Sequence, residues 1–101
     1  MTNTATATAQ GAAPGATPIE RTPNIGATLA AELRGVGIDS LEALMRVGFW
    51  DAWLQLRRAN PDRDGVPACL ALAGAVAGVR WNHLPPKVRA DIRQRVKAVR
   101  A

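Results

Sequence analysis

Two short turns hold the residues of this chain whose types and spacing lend themselves to chemistry. One is Pro23-Asn24-Ile25-Gly26 and the other is Gly35-Val36-Gly37, and each stands just before a helical pattern. Free backbone amides at a helix start, aided by the helix dipole, can hold an oxyanion such as a phosphate without reading sequence. Asn24, Ile25 and Gly26 are therefore candidate phosphate-binding residues, with Arg21 as a lone cation beside them. Asparagine tolerates the positive φ such a turn needs, although its side chain can compete for the same amides. Asp39 and Glu42 follow the second turn. Their carboxylates would satisfy the nearby amides internally and repel a phosphate, so that turn reads as a structural corner.

A second set of candidates lies near the end of the chain. Arg89, Arg93, Lys97 and Arg100 recur at three- and four-residue intervals, which places them in one stripe along a helix. Charge is unevenly shared between the two halves. Through Leu56, three arginines face five acids, a net of −2; from Arg57 onward, ten basic residues face three acids, a net of +7. Electrostatic attraction to nucleic acid should therefore come from the C-terminal half, through phosphate contacts made by that stripe. The same stripe also suits the solvated face of a basic protein. No cluster of Asn and Arg marks a helix that would read base edges.

Bond chemistry has little to stand on. His83 is the only histidine and Cys69 the only cysteine. His83 sits beside Pro85-Pro86 without a second polar cluster, and Cys69 lies in the apolar run ACLALAGAVAG without an acid-base partner. One histidine and one cysteine do not make a zinc site, and the acids lack metal-ligand spacing. No glycine-rich loop ends in Lys-Ser or Lys-Thr to cradle a nucleotide. The expectation is a non-enzyme without cofactor or metal.

The elements that must position these residues are helical throughout. Leu29 and Leu33 give one apolar face to a helix over 26–34, closed by Gly35 and Gly37. A second helix follows from Asp39, whose carboxylate can cap it, with Glu42 three residues on as in a capping box; Leu41, Leu44 and Met45 form its buried stripe. The segment FWDAWLQLRRAN is apolar over a wide face, so it should sit centrally or lend Trp50 or Trp53 to a partner. Pro67 suits the first turn of a fourth helix, which is rich in small residues and is the segment most plainly meant for burial. The last helix begins at Pro86 and places Val88, Ile92, Val96 and Val99 in one narrow sector. No segment alternates as a strand does, which predicts an all-α, compact bundle of about five short helices.

The first eighteen residues, MTNTATATAQGAAPGATP, carry no charge and no periodic branching. They are expected to be a disordered tail ahead of a helical domain over 19–101. No basic start leads into a long apolar run, and nothing approaches a membrane span. A single cysteine suits a reducing compartment, so a cytoplasmic location is expected.

The runs TPNIGATLAAELRGVGIDSLEALMRVG and GAVAGVRWNHLPPKVRADI together resemble the C-terminal domain of the TfoX/Sxy competence-regulator family, from about Ile19 to Arg100. That resemblance implies a helix-hairpin-helix-like unit in the first two helices. It also points to Pro23 through Gly26, Leu33, Gly35 through Ile38, and Trp81, Leu84 and Pro85 as shape-determining positions. It brings no catalytic set. Members of the family often carry an additional N-terminal α/β domain, where this sequence has its low-complexity stretch, and some are linked with regulation of DNA-uptake genes. Two functions follow as expectations. One is a protein-interaction module of a regulatory system, binding a partner or itself, with Trp50, Trp53 or Trp81 as apolar anchor. The other is an accessory domain making sequence-independent DNA contacts through the basic last helix.

Overall fold

The computed structural model describes residues 15–62 and 65–100, the side chain of Arg100 excepted. Five α-helices account for most of them: α1 (Ala27–Gly35), α2 (Leu41–Val47), α3 (Phe49–Ala59), α4 (Val66–Ala77) and α5 (Pro86–Arg100). Two 3-10 turns, Ile19–Arg21 and Trp81–His83, precede α1 and α5. No strand occurs among the described residues; a single antiparallel bridge joins Pro18 to Ser40. The all-α expectation is met.

The central element is α4, which packs against α2, α3, α5 and the Trp81–His83 turn. Its sequence explains the position. A helix apolar on nearly all sides must be surrounded, and Ala68, Cys69, Leu70, Leu72, Ala73 and Ala75 are all buried. The small residues let neighbours approach, while Leu70 and Leu72 fill the space between them. Around α4 the core takes Leu29 and Leu33 from α1, Leu44 from α2, Trp53 and Leu56 from α3, and Ile92 and Val96 from α5. Ile19, fully buried from the first 3-10 turn, closes the end near α1.

Three sequence expectations are corrected here. Asp39 does not cap α2; Ser40 does, its Oγ accepting from the Ala43 N–H at 3.0 Å. The carbonyl of Asp39 accepts instead from the Ile19 N–H at 3.2 Å, so the neighbouring chain sets where the helix starts. Glu42 does not close a capping box. Its carboxylate accepts from the Thr17 N–H at 2.8 Å and the Thr17 hydroxyl at 3.1 Å, which fastens residues 17–19 alongside 39–41. Finally, the apolar sectors are narrower than periodicity suggested. Met45 is 55% exposed, and Val88 and Val99 are about as exposed as Trp81. The expected tail over 1–18 falls outside the described residues up to position 14, and Thr17 and Pro18 are attached to the helical unit by the contacts just given.

Candidate functional site

The Pro23–Gly26 turn owes its shape to Asn24. The Ile25 N–H returns to the Thr22 carbonyl at 3.4 Å, and Asn24 sits at φ 71°. Proline at the second position of a turn and a left-handed residue at the third is the type II pattern, which admits Asn where most residues are strained. Thr22 is buried, and its hydroxyl donates to the Ile19 carbonyl at 2.8 Å.

The Asn24 side chain does not compete for the turn's amides, contrary to the sequence expectation. It reaches across to the segment after α4. Nδ2 donates to the Val79 carbonyl at 2.9 Å, and Oδ1 accepts from the Trp81 N–H at 3.0 Å. One side-chain amide thus pairs with both backbone groups that flank Arg80, as a neighbouring strand would. An aspartate in its place would have no hydrogen for the Val79 carbonyl.

Two glycines make this joint fit. Gly78, at φ 76°, closes α4 in the left-handed conformation, with the Gly78 N–H returning to Ala75 and the Val79 N–H to Gly74. That closure turns residues 79–81 back toward the end of α4. Gly74 then lies directly beneath them: a Cβ there would stand 2.5 Å from Asn24 Nδ2, 2.8 Å from the Val79 oxygen and 3.1 Å from Trp81 Cα. Any side chain at 74 would push the joint apart.

The two glycine turns differ in electrostatics. Gly26 is the N-cap of α1 and offers no side-chain acceptor, and no acidic residue stands in the first turn. Gly26, Ala27 and Thr28 are exposed, so this end of α1 is open to solvent, with Arg21 nearby in sequence. At the second turn, the amides of Gly37 and Ile38 return to the carbonyls of Arg34 and Leu33 at 3.0 and 2.8 Å. They are consumed in closing α1, and Ser40 supplies the cap for α2.

The tryptophans divide sharply. Trp53 is 1% exposed and belongs to the core, so it presents no anchor to a partner. Trp50 is half-buried; its ring lies 5.0 Å from that of Trp53, and the Arg95 guanidinium covers it at 4.2 Å. Trp81 is 42% exposed while its backbone N–H is held by Asn24.

On α5, Arg93 and Lys97 are exposed and Arg89 is half-buried, its Nε sealed from solvent without a hydrogen-bond partner. The side chain of Arg100 is outside the described residues. No hydrogen bond or ion pair joins Arg89, Arg93 or Lys97 to the Asn24–Gly26 turn among the described residues. The two sets of phosphate candidates stand on different elements.

Reactive groups remain isolated. Burial pushes the Cys69 thiol up to about 12, against a small opposing effect of Arg95, which keeps it protonated and inert. Among the described residues no three His, Cys, Asp or Glu side chains gather as a metal would require, and no helix is long and apolar enough to cross a membrane. Sequence reasoning missed the Asn24 joint because its partners lie 55 and 57 residues away. The co-occurrence of a Pro-Asn turn with a glycine in the last turn of α4 was the signal available.

Comparison with known proteins places these features in context. The family model described as the TfoX C-terminal domain matches residues 16–96. The crystal structure of an uncharacterized protein from Listeria monocytogenes, in a triclinic form, is similar at a TM-score of 0.78 and 26% identity, covering 82% of this chain and 93% of that one. A tetragonal crystal form of a protein of unknown function from the same organism is similar at a TM-score of 0.73 and 28% identity, covering 76% and 93%. No curated protein matches the chain.

Proposed function

This chain belongs to the TfoX C-terminal domain family, and from that premise we propose that it is a non-catalytic interaction module of a regulatory protein, docking a protein partner through the face that carries Trp81. The observation behind this reading is the Asn24–Trp81 joint. Residues of the two signature stretches meet there, and what they build is a shape. The backbone of Trp81 is fixed at both ends of the 3-10 turn, by Asn24 at its N–H and by the Leu84 N–H at its carbonyl, while the residue as a whole stays 42% exposed. A large aromatic held in place without being buried loses little freedom when a partner covers it, which is the physics of an interface anchor.

The test is affinity capture from extracts of the source cells with the wild-type chain, Trp81→Ala and Met45→Ala. A partner lost by about tenfold or more with Trp81→Ala but retained by Met45→Ala supports the docking face. Equal capture by all three removes it.

A second reading rests on a separate observation. Arg93 and Lys97 face solvent on α5, and the α1 start is uncapped and free of acids. Weak, sequence-independent DNA binding through phosphate contacts would use one or both. It requires duplex binding at low salt that falls steeply as salt rises and falls again in Arg93→Ala/Lys97→Ala. Absence of binding at low salt removes it.

A further inference from the structure

We infer that α5 carries a self-complementary stripe, Val88, Asp91, Arg95 and Val99, through which two copies of this chain pair with their α5 helices antiparallel. The inference does not rest on the Trp81 face. At about 100° per residue, and taking Val88 as zero, Asp91 falls near −60°, Arg95 near −20° and Val99 near 20°. The four therefore share one flank of the helix. All four are exposed, and the two valines are 40% and 41% so. Ile92 and Val96, near 40° and 80° on the same scale, are the residues α5 buries in its own domain, so the stripe borders that buried face and opens to solvent.

Reversal of the helix direction maps the stripe onto itself. Val88 of one copy meets Val99 of the other, and in the same register, to within one residue, Asp91 meets Arg95. Symmetry repeats both pairs. Apolar contacts thus close the two ends and two opposite-charge pairs occupy the middle. The basic stripe is kept out of this contact: Arg89, Arg93 and Lys97 lie near 100°, 140° and 180°, turned away from the second copy.

The charged pair is also prepared for a partner outside the domain. Asp91 and Arg95 are four residues apart and could pair within their own helix, yet they do not; neither has an ion-pair partner among the described residues. The guanidinium of Arg95 lies instead over the Trp50 ring at 4.2 Å. A guanidinium resting over a ring still has N–H donors that the ring does not pair, and those donors are what a carboxylate engages. Trp50 acts here as a positioning residue for Arg95, and the carboxylate that fits is the second copy's Asp91.

Charge exchange tests the arrangement. The wild-type full chain should show concentration-dependent dimerisation by sedimentation equilibrium. Asp91→Arg alone and Arg95→Asp alone should each be monomeric, since each sets like charges opposite one another. An equimolar mixture of the two variants should recover the dimer as a heterodimer, because both arginines of the first variant's stripe then face aspartates in the second. Val99→Glu, which leaves both charged residues in place, should weaken the wild-type dimer at least tenfold while leaving the helical circular-dichroism spectrum unchanged. A wild-type chain that stays monomeric up to its solubility limit overturns the proposal. So does a dimer that survives Asp91→Arg, or two monomeric single variants that do not combine. A dimer abolished by Trp81→Ala instead would assign self-association to the other face.

Discussion

Asn24 and Gly74 touch across the junction between the first turn and the end of α4, so closely that one methyl group on the glycine would stand 2.5 Å from Asn24 Nδ2. The polar joint and the bare α-carbon beneath it form one unit. The hydrogen bonds to Val79 and Trp81 hold only while position 74 has no side chain.

Substitutions at the two positions should therefore interact. Asn24→Gly keeps the left-handed backbone but loses both hydrogen bonds, and should lower stability in urea by about 1–2 kcal/mol. Asn24→Ala should lose about 1 kcal/mol more, because alanine is strained at positive φ. Gly74→Ala should cost about 1–3 kcal/mol through overpacking. In the Asn24→Gly background that last cost should shrink, since one of the clashing atoms is gone. Additive losses would show that the two residues are not coupled.

The tryptophans should separate by role. Trp53→Ala removes a fully buried ring and should cost about 3–5 kcal/mol. Trp81→Ala should cost about 1 kcal/mol or less, as a partly exposed side chain does. Denaturation monitored by circular dichroism measures both. Equal losses would make Trp81 a core residue and remove the basis for a docking face.

Acid should loosen the N-terminal fastening. The Thr17 N–H and hydroxyl hold Glu42 below the ordinary glutamate value of 4.5, and the Arg34 guanidinium, bonded at 2.6 Å, does the same for Glu20. Both carboxyls are depressed in the folded state, so their stabilisation is present above the unfolded value and is lost as pH falls through the folded one. The denaturation midpoint should decline on acidification below 4.5. Glu20→Gln/Glu42→Gln should flatten that decline; an unchanged slope would assign acid sensitivity to other groups.

Cys69 should be chemically silent in the native protein. Its thiol is buried and pushed up to about 12, so a thiol reagent in mildly alkaline buffer should react at the rate of unfolding and no faster. Rapid reaction without denaturant would contradict the packing of α4.

The helices were largely legible in the sequence because their signals are local. Gly35 and Gly37 mark the end of α1, Pro67 stands in the first turn of α4, and Pro86 opens α5. What escaped is decided by contacts between distant segments. Asp39 and Ser40 are equally good caps by type, and the choice falls to Ser40 where Ile19 pairs with the Asp39 backbone. Glu42 had a local partner in a capping box and found a better one in Thr17. Val88 and Val99 fit the apolar period of α5, but α4 covers a narrower arc than the period allows. At the candidate site, the residues Asn24 and Trp81 were legible as individuals and their bond was not. Side-chain pairing across more than fifty residues leaves no periodic trace.

That span has a consequence for synthesis. The groups Asn24 grips are 55 and 57 positions downstream, and long-range closure must be achieved before such bonds repay its entropy. During translation, Asn24 cannot make both bonds until Val79 and Trp81 have left the ribosome. The opening bend of the domain is finished only by residues that lie beyond α4, so nascent chains paused before that point would carry α1 unlatched.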